Sequence, residues 1–246
     1  MEVESRDGME KTHTKSKNTW EDFFKDKTHG GHRYSSEEFL FMEAKEKLFH
    51  LDGGKTLLDF GCGSAELLAY YALEYEQLVG VDFSPSMLEE ASKRIEKKKC
   101  QNINLILADH ETLWKNLDSS FDRITAAGVI QYLTFQEIDT FIFEASKYLN
   151  KDGKIVFFDI LDSRLYPLWK IGVFSRDTNA FKILCKIGFE FRTMISASFK
   201  NRPKDILGFS HNPYTIEKIA NKHGFKMTYV QSMYYEYKYH AIMRKT

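Results

Sequence analysis

Cysteine is scarce in this chain of 246 residues, with three residues at widely separated positions, Cys62, Cys100 and Cys185. An odd number of cysteines without a CxxC pair argues against a disulfide framework and against a cysteine-based zinc site. We therefore assign no metal. Unpaired cysteines are typical of a reducing compartment, so we expect a cytoplasmic protein.

The chain also lacks long apolar runs and an excess of either charge. No apolar run approaches the roughly 18 residues that a membrane-spanning helix requires. Basic and acidic residues number 35 each, so no global field favours nucleic acid or an anionic membrane, although a local basic patch stays possible. Residues 1–18 are polar and lack the apolar core of a secretory signal, and we expect a disordered tail there.

Strand and helix patterns alternate through the first two thirds of the chain. A helix over Ser36–Phe49 precedes them, with Phe39, Leu40, Met42 and Ala44 expected against a sheet. Ser84-Pro85 predicts a second helix start, and Thr134 with Glu137 predicts a capping box that opens a helix ending at Leu149. The predicted strands are Lys55–Phe60, Gln77–Asp82, Asn104–Ala108, Asp122–Ala126 and, after an Asp152-Gly153 turn, Lys154–Ile160.

This alternation stops after the fifth strand. Residues 161–209 are rich in aromatic and basic residues, and we interpret them as a helical cap over the carboxyl edge of the sheet. A helix over Pro213–His223, stopped by Gly224, then leads to strands Phe225–Gln231 and Tyr235–Met243, an antiparallel hairpin at the sheet edge. The sequence thus predicts one α/β domain over residues 19–246, a doubly wound, Rossmann-like sheet of seven strands with an N-terminal helical segment.

The first strand ends in the most informative stretch, Asp59-Phe60-Gly61-Cys62-Gly63-Ser64-Ala65-Glu66. A buried strand, a glycine turn and a helix start are where α/β domains bind nucleotide-like ligands. The carboxylate at the strand tip suits a cationic or hydroxyl-rich ligand better than a phosphate. A dinucleotide fingerprint would need a third glycine at Glu66, whose charge would oppose a pyrophosphate.

Asp82 ends the second strand, where a carboxylate can accept hydrogen bonds from two ribose hydroxyls. The alternative is that Asp82 only caps the following helix, although Ser84 is better placed for that role. The tyrosine-rich end of the chain offers little basic charge between its rings, so it gives no strong nucleic-acid signal.

Two motifs resemble those of the class I S-adenosylmethionine-dependent methyltransferases that act on small molecules. The glycine turn is similar to their acidic-GxGxG motif, with Ala65, interpreted as already helical, in place of the last glycine. The stretch Phe121–Tyr132 resembles their fourth motif, in which many members carry histidine where Tyr132 stands. The resemblance runs from about Thr56 to Gly153 and again from Pro213 to the end of the chain.

This resemblance implies that S-adenosylmethionine, and its product S-adenosylhomocysteine, bind along the carboxyl edge. Asp109 would accept from the adenine amine, while His110 either stacks on the adenine or simply begins a helix. Cys62 is interpreted as a small turn residue rather than a nucleophile. The implied cofactor-binding residues are Asp59, Gly61, Cys62, Gly63, Asp82, Phe83, Met87, Asp109, His110 and Ala126.

The function implied is methyl transfer to an oxygen or nitrogen of a small organic molecule, by a monomer or homodimer. The alternatives are a protein or tRNA methyltransferase and a non-catalytic, cofactor-binding regulatory protein. A general base is needed if the acceptor is protonated. His211 and Tyr132 are the main candidates, followed by Tyr34 and His110, and a solvated loop histidine is the alternative interpretation of His211.

Overall fold

A computed structural model describes residues 35–175, 179–188 and 208–246 of the chain. Seven strands form one sheet in the order β3-β2-β1-β4-β5-β7-β6. Strands β1 to β5 are parallel, and β7 lies antiparallel between β5 and β6. The strands are β1 Thr56–Phe60, β2 Gln77–Asp82, β3 Ile103–Leu107, β4 Phe121–Ala127, β5 Leu149–Leu161, β6 Phe225–Gln231 and β7 Lys238–Lys245. The predicted doubly wound, seven-stranded fold is confirmed.

Helices cover both faces of this sheet. Buried side chains of α1, α2 and α3 pack on one face, and those of α4 and α6 pack on the other. The helices are α1 Glu37–Leu51, α2 Leu68–Tyr71, α3 Pro85–Lys98, α4 Phe135–Lys147, α5 Tyr166–Lys170 and α6 Pro213–Lys222. In the described part of the chain, no helix has the length and apolar character needed to cross a membrane.

The predicted helix starts are confirmed by their hydrogen bonds. The Ser84 hydroxyl accepts from the first turn of α3, which has proline at its start. Thr134 and Glu137 form the expected capping box at α4, with the Thr134 amide donating to Glu137 Oε2 at 2.6 Å. Helix α4 ends at Lys147 rather than Leu149, because the chain already enters β5 at Leu149.

Helix α1 differs from its predicted packing. Leu40 and Ala44 are buried as expected, but Met42 is 49% exposed. The helix instead buries charged side chains, and Lys47 is fully buried with its ammonium 2.8 Å from Glu43 Oε1. Apolar spacing could not reveal this arrangement, because the buried charges find their partners on strands that are distant in sequence.

Strand β5 is longer than predicted and contains two irregularities. Asp152 has a positive φ of 63°, and the register with β4 shifts between Phe121 and Arg123, so the expected turn lies inside the strand. Asp159 has a φ of 58° at a second shift. Such bulges re-aim side chains, and here the Asp159 carboxylate lies 2.9 Å from the Lys47 ammonium.

The chain ends in the predicted hairpin, with β7 starting three residues late. Residues Tyr235 to Tyr237 belong to the turn, in which the Lys238 amide donates to the Tyr235 carbonyl at 3.0 Å. The Asp162 amide donates to the Tyr237 carbonyl at 2.9 Å, which ties this turn to the end of β5. Helix α6 ends where Gly224 adopts a φ of 75°, as expected.

The described part of the predicted cap contains two helical segments. Helix α5 follows β5, and residues 180–188 form a second helical segment. The rest of the predicted cap, the predicted N-terminal tail over residues 1–18 and the candidate base Tyr34 lie outside the described residues.

Candidate functional site

The glycine turn after β1 requires its glycines for steric reasons. Gly61 has a φ of 75°, and its amide donates to the Val81 carbonyl of β2 at 2.7 Å. A Cβ on Gly61 would lie 2.2 Å from Val129 Cγ2, a separation that no real side chain tolerates. Gly63 also has a positive φ, 55°. The turn therefore brings its backbone against β2 and against the segment after β4.

The expectation that Ala65 is already helical is wrong. Its φ is 60°, in the left-handed region, and the regular helix begins only at Leu68. The helix that follows the glycine turn is correspondingly only one short turn, Leu68–Tyr71. Alanine in this conformation costs roughly 1–2 kcal/mol. The small residue at the third position of the motif, Ala65, thus allows the left-handed backbone conformation of the turn.

Asp59 is a buried carboxyl group at the end of β1. Burial raises its pKa from 3.8 to about 7, the nearby Asp82 carboxylate adds to the rise, and the Lys47 ammonium opposes it. Its Oδ1 atom is buried without a hydrogen-bond partner among the described residues. Such an acceptor favours a hydrogen-bond donor or a cation at this point.

Asp82 joins the end of β2 to the glycine turn. Its Oδ2 atom accepts from the Gly63 amide and its Oδ1 atom from the Ser84 amide, both at 2.9 Å. Burial raises its pKa to about 6, although the backbone hydrogen bonds oppose the rise. The helix cap itself is the Ser84 hydroxyl, which accepts from the Met87 amide at 3.4 Å. Asp82 therefore does more than cap α3.

Asp109 and His110 follow β3 and have partners of their own. Asp109 Oδ1 accepts from the Thr112 amide at 2.9 Å and the Thr112 hydroxyl at 2.7 Å. His110 Nε2 lies 3.5 Å from Glu137 Oε1, and the next helix, a 3₁₀ turn over Leu113–Asn116, begins three residues later. The interpretation of His110 as the first residue of a helix is therefore wrong.

The remaining predicted binding residues lie along the same edge. Met87 is buried in the first turn of α3, Phe83 is half-buried before it, and Ala126 is fully buried near the end of β4. Burial, with the Asp82 carboxylate as a further cause, raises the pKa of the Cys62 thiol well above its usual value. Cys62 therefore stays protonated. Because β3, β2, β1 and β4 are neighbours, all ten predicted residues meet at one edge.

His211 is a buried histidine, so its interpretation as a solvated loop residue is wrong. Its ring packs edge-on against Phe135, with ring centres 5.1 Å apart. Its Nε2 atom lies 3.1 Å from the Ile130 carbonyl, which can only accept, so Nε2 carries the proton. Nδ1 is buried without a partner among the described residues, and burial lowers the pKa of the ring. His211 is thus a neutral imidazole with a lone pair on Nδ1.

The backbone places His211 at the carboxyl ends of β4 and β5. Its amide donates to the Leu161 carbonyl at 2.8 Å. Two residues earlier, the Phe209 amide donates to the Gln131 carbonyl at 2.6 Å. The chain that leads back from the cap is therefore hydrogen-bonded to the segment after β4. Tyr132 lies half-buried in that segment, and burial raises its pKa.

A buried set of charges on α1 was not predicted. We call it the α1 polar cluster: Glu43, Glu46, Lys47, Asp159 and His240. The Lys47 ammonium pairs with both Glu43 and Asp159, and it is the cation that opposes the rise in the pKa of Asp59. The one sequence signal was the i,i+4 spacing of Glu43 and Lys47, which usually marks an exposed helix face.

Two residues of this cluster, together with His50 beside them, have the composition of a metal site. Potential ligand atoms of Glu46, His50 and His240 lie within 4.8 Å of one another. However, His240 Nδ1 accepts from the Asp159 amide at 3.2 Å, so Nε2 must carry the proton that points to Glu46 Oε1 at 3.1 Å. A protonated Nε2 has no lone pair for a metal. Asp159, His240 and Glu46 therefore form a hydrogen-bonded chain.

Comparison with known proteins agrees with this geometry. Residues 57–153 match a family model described as a methyltransferase domain. The resemblance to class I S-adenosylmethionine-dependent methyltransferases and the fold class expected from the sequence are therefore confirmed.

Individual relatives and structures cover the chain unequally. It is 31% identical over 130 residues to a ribosomal protein L11 methyltransferase of Thermosipho africanus and 30% over 117 residues to a probable (S)-tetrahydroprotoberberine N-methyltransferase 2 of Papaver bracteatum. These matches cover 52% and 45% of this chain, and 46% and 32% of the relatives. This chain thus spans less than half the length of either relative.

A solved structure matches nearly the whole chain. The magnesium protoporphyrin IX methyltransferase of Synechocystis, with bound S-adenosylmethionine, has a TM-score of 0.59 and 13% identity, and the match covers 94% of this chain and 97% of that one. At this identity the likeness establishes the fold alone.

Proposed function

We propose that this protein transfers a methyl group from S-adenosylmethionine to an oxygen or nitrogen of a small organic molecule. The observation that carries the proposal is the carboxyl-edge site. There, two buried carboxyl groups, Asp59 and Asp82, flank a glycine turn that leaves no room for a side chain at Gly61. When bound, S-adenosylmethionine supplies an electrophilic methyl group on a sulfonium.

The two carboxyl groups have different roles in this proposal. Asp59, with an unpartnered Oδ1 atom, favours the cationic amino group of the methionine part. Asp82 accepts from the ribose hydroxyls while its backbone bonds keep the turn against β2. The glycine turn, Gly61 to Gly63, gives the methionine part access to the backbone.

The remaining residues of the carboxyl edge contact the adenine and sulfonium ends of the cofactor in this proposal. Phe83 and Met87 flank the adenine, Asp109 accepts from its exocyclic amine, and His110 covers one side. Ala126 is small, so it leaves the end of β4 open to the sulfonium. These assignments are what the resemblance to the methyltransferases implies, and the position of each residue at the carboxyl edge of the sheet supports them.

The protein contributes mainly orientation to this reaction. Methyl transfer would join an acceptor lone pair to the methyl carbon and break the carbon–sulfur bond, leaving that electron pair on a neutral sulfur, and the residues of the carboxyl edge would hold the two partners in line. Holding the acceptor in this line supplies up to about 7–11 kcal/mol in favourable intramolecular cases. No acid is needed for the leaving group.

His211 is our candidate for the general base. It is neutral, its Nε2 proton is committed to the Ile130 carbonyl, and its Nδ1 lone pair has no partner among the described residues. Nδ1 would take the proton that a hydroxyl or protonated amine acceptor loses. Tyr132 is the weaker candidate, since burial raises its pKa and so keeps the phenol protonated and unable to accept the proton.

A protein acceptor is the second candidate function. One observation favours it, the 31% identity to a ribosomal protein L11 methyltransferase over about half of this chain. The two candidates separate experimentally, since a protein acceptor would take label from radioactive cofactor in a lysate fraction above the size of small metabolites.

The first test is calorimetry with S-adenosylmethionine and S-adenosylhomocysteine. Binding of both is expected, and no heat and no thermal stabilisation at millimolar ligand would exclude the proposal. Cofactor turnover over a panel of hydroxylated and amino compounds then identifies the acceptor. If binding occurs without turnover on small molecules or lysate protein, the regulatory alternative is favoured.

The second test addresses His211. His211→Asn should lower kcat about 100-fold or more and should remove the acidic limb of the pH–rate profile. Cofactor affinity should stay within a few-fold. Tyr132→Phe is the matched control, and a larger effect of that variant would reverse the assignment.

A further inference from the structure

The helical segment at residues 180–188 exposes apolar side chains around much of its surface. Phe181 is 74% exposed, Leu184 is 66% exposed and Ile187 is 44% exposed. The segment is nevertheless a formed helix with its own N-cap, since Asn179 Oδ1 accepts from the Lys182 amide at 3.0 Å. Apolar exposure on this scale calls for a partner surface.

Its two lysines occupy one stripe of this helix. Lys182 and Lys186 are four residues apart and so share a face, and the other residues from 181 to 187 are apolar. A narrow basic stripe beside a broad apolar surface is the pattern of helices that lie in a lipid–water interface.

The preceding part of the cap repeats this composition. Leu168 and Trp169 on α5, followed by Val173 and Phe174, are between 37% and 45% exposed. Trp169 is held rigidly, with its ring centre 4.2 Å from that of Tyr237 in the β6–β7 turn. Tryptophan that is packed on one side and exposed on the other suits a membrane interface.

The exposed charge of these two segments has one sign. Residues 163–175 and 179–188 contain Arg164, Lys170, Lys182 and Lys186 and no aspartate or glutamate. Arg164 is paired with the buried Asp162 carboxylate at 2.7 Å, and the other basic residues are the three lysines. In a chain whose total charge is zero, these two segments carry a local excess of basic residues.

We propose that this basic apolar surface of the cap docks on an anionic lipid surface. Anionic headgroups would meet the lysines, and Phe181, Leu184 and Trp169 would enter the boundary between headgroups and acyl chains. A two-fold contact with a second copy would bring the same lysine stripes together, which is unfavourable. Nucleic acid would satisfy the lysines but would leave the apolar side chains in water.

Vesicle sedimentation tests the proposal without relying on methyl transfer. The full chain should bind phosphatidylcholine–phosphatidylglycerol vesicles at least about tenfold more tightly than pure phosphatidylcholine vesicles, and high salt should weaken the binding. The double variant F181S/L184S and the double variant K182E/K186E should each lose at least about tenfold in affinity.

The chain offers a matched control. Phe49 and Leu73 are 79% and 77% exposed, as much as Phe181, but they lie outside the cap. F49S/L73S should bind vesicles as the wild type does. S-adenosylhomocysteine affinity and thermal unfolding should be unchanged in F181S/L184S, which shows that the variant folds and keeps the proposed cofactor site.

Three results would overturn the proposal. One is equal binding to neutral and anionic vesicles, or binding to neither. Another is a cap variant that binds like F49S/L73S. The third is the absence of vesicle binding together with a concentration-dependent dimer that light scattering detects and that F181S/L184S abolishes. That result would assign the surface to a second copy of the chain.

Discussion

Replacing Asp59 with asparagine should stabilise the protein without ligand while weakening its site. Asp59 is buried, and burial raises the pKa of its carboxyl group from 3.8 to about 7. Asparagine has nearly the same shape as the protonated acid but no charge to desolvate. The Asp59→Asn variant therefore removes the cost of ionising this group inside the protein.

The sign and size of the effect follow from linkage. Between pH 3.8 and about 7, the folded protein holds a proton on Asp59 that the unfolded chain has released, so stability falls as pH rises. Each pKa unit corresponds to about 1.4 kcal/mol. Between about pH 5.5 and about pH 8.5 the wild type should therefore lose about 2 kcal/mol relative to Asp59→Asn.

Thermal unfolding measures this difference directly. The wild-type Tm should fall by about 4–8 °C more than the variant Tm between the two pH values. Asp82, with a pKa of about 6, titrates in this range in both proteins, so the difference between them reports Asp59 together with its interaction with Asp82. Saturating S-adenosylhomocysteine should then stabilise the wild type more than the variant at the higher pH, because its amino group gains an ionised partner.

Two outcomes would refute this reasoning. Parallel pH dependences of the two Tm values would show that Asp59 is ionised at an ordinary pKa in the folded protein. Equal stabilisation of both proteins by the ligand would show that Asp59 does not face a cationic group, and the assignment of the methionine end would then be wrong.

Three further predictions follow from other residues of the site. Asp82→Ala should weaken the cofactor by about 1–3 kcal/mol in calorimetry, and an unchanged Kd would place the ribose elsewhere. Gly61→Val should destabilise the protein by at least about 2 kcal/mol more than Gly128→Val, since a Cβ meets no atom within 4 Å at Gly128; equal losses in urea unfolding would contradict this. Lys47→Met should cost about 3–5 kcal/mol in urea unfolding because it leaves Asp159 buried without its cation, and a loss under about 1 kcal/mol would show that the pair is not desolvated.

Local sequence signals were reliable where the physics is local. The caps at Ser84 and Thr134 and the strands Gln77–Asp82 and Phe225–Gln231 could be predicted because neighbouring residues determine them. The glycine turn was predictable for the same reason, since positive φ selects glycine within a few positions. Ala65 shows the limit, because a left-handed alanine leaves no local signal.

Tertiary structure decided the environment of each charge. His211 resembled a solvated histidine in sequence, yet the return of the cap buries it against the Ile130 carbonyl. Lys47 resembled an exposed helix residue, yet it pairs with Asp159, which a bulge in β5 re-aims from 112 positions further along the chain.

The sequence by itself therefore determined the order of elements, the turn and the residue types at the carboxyl edge. Only the tertiary structure decided which of those groups are buried, which are paired and in which protonation state they stand. The physical reason is that ionisation depends on desolvation and on charges brought close by folding, and neither is recorded in the spacing of residues along the chain.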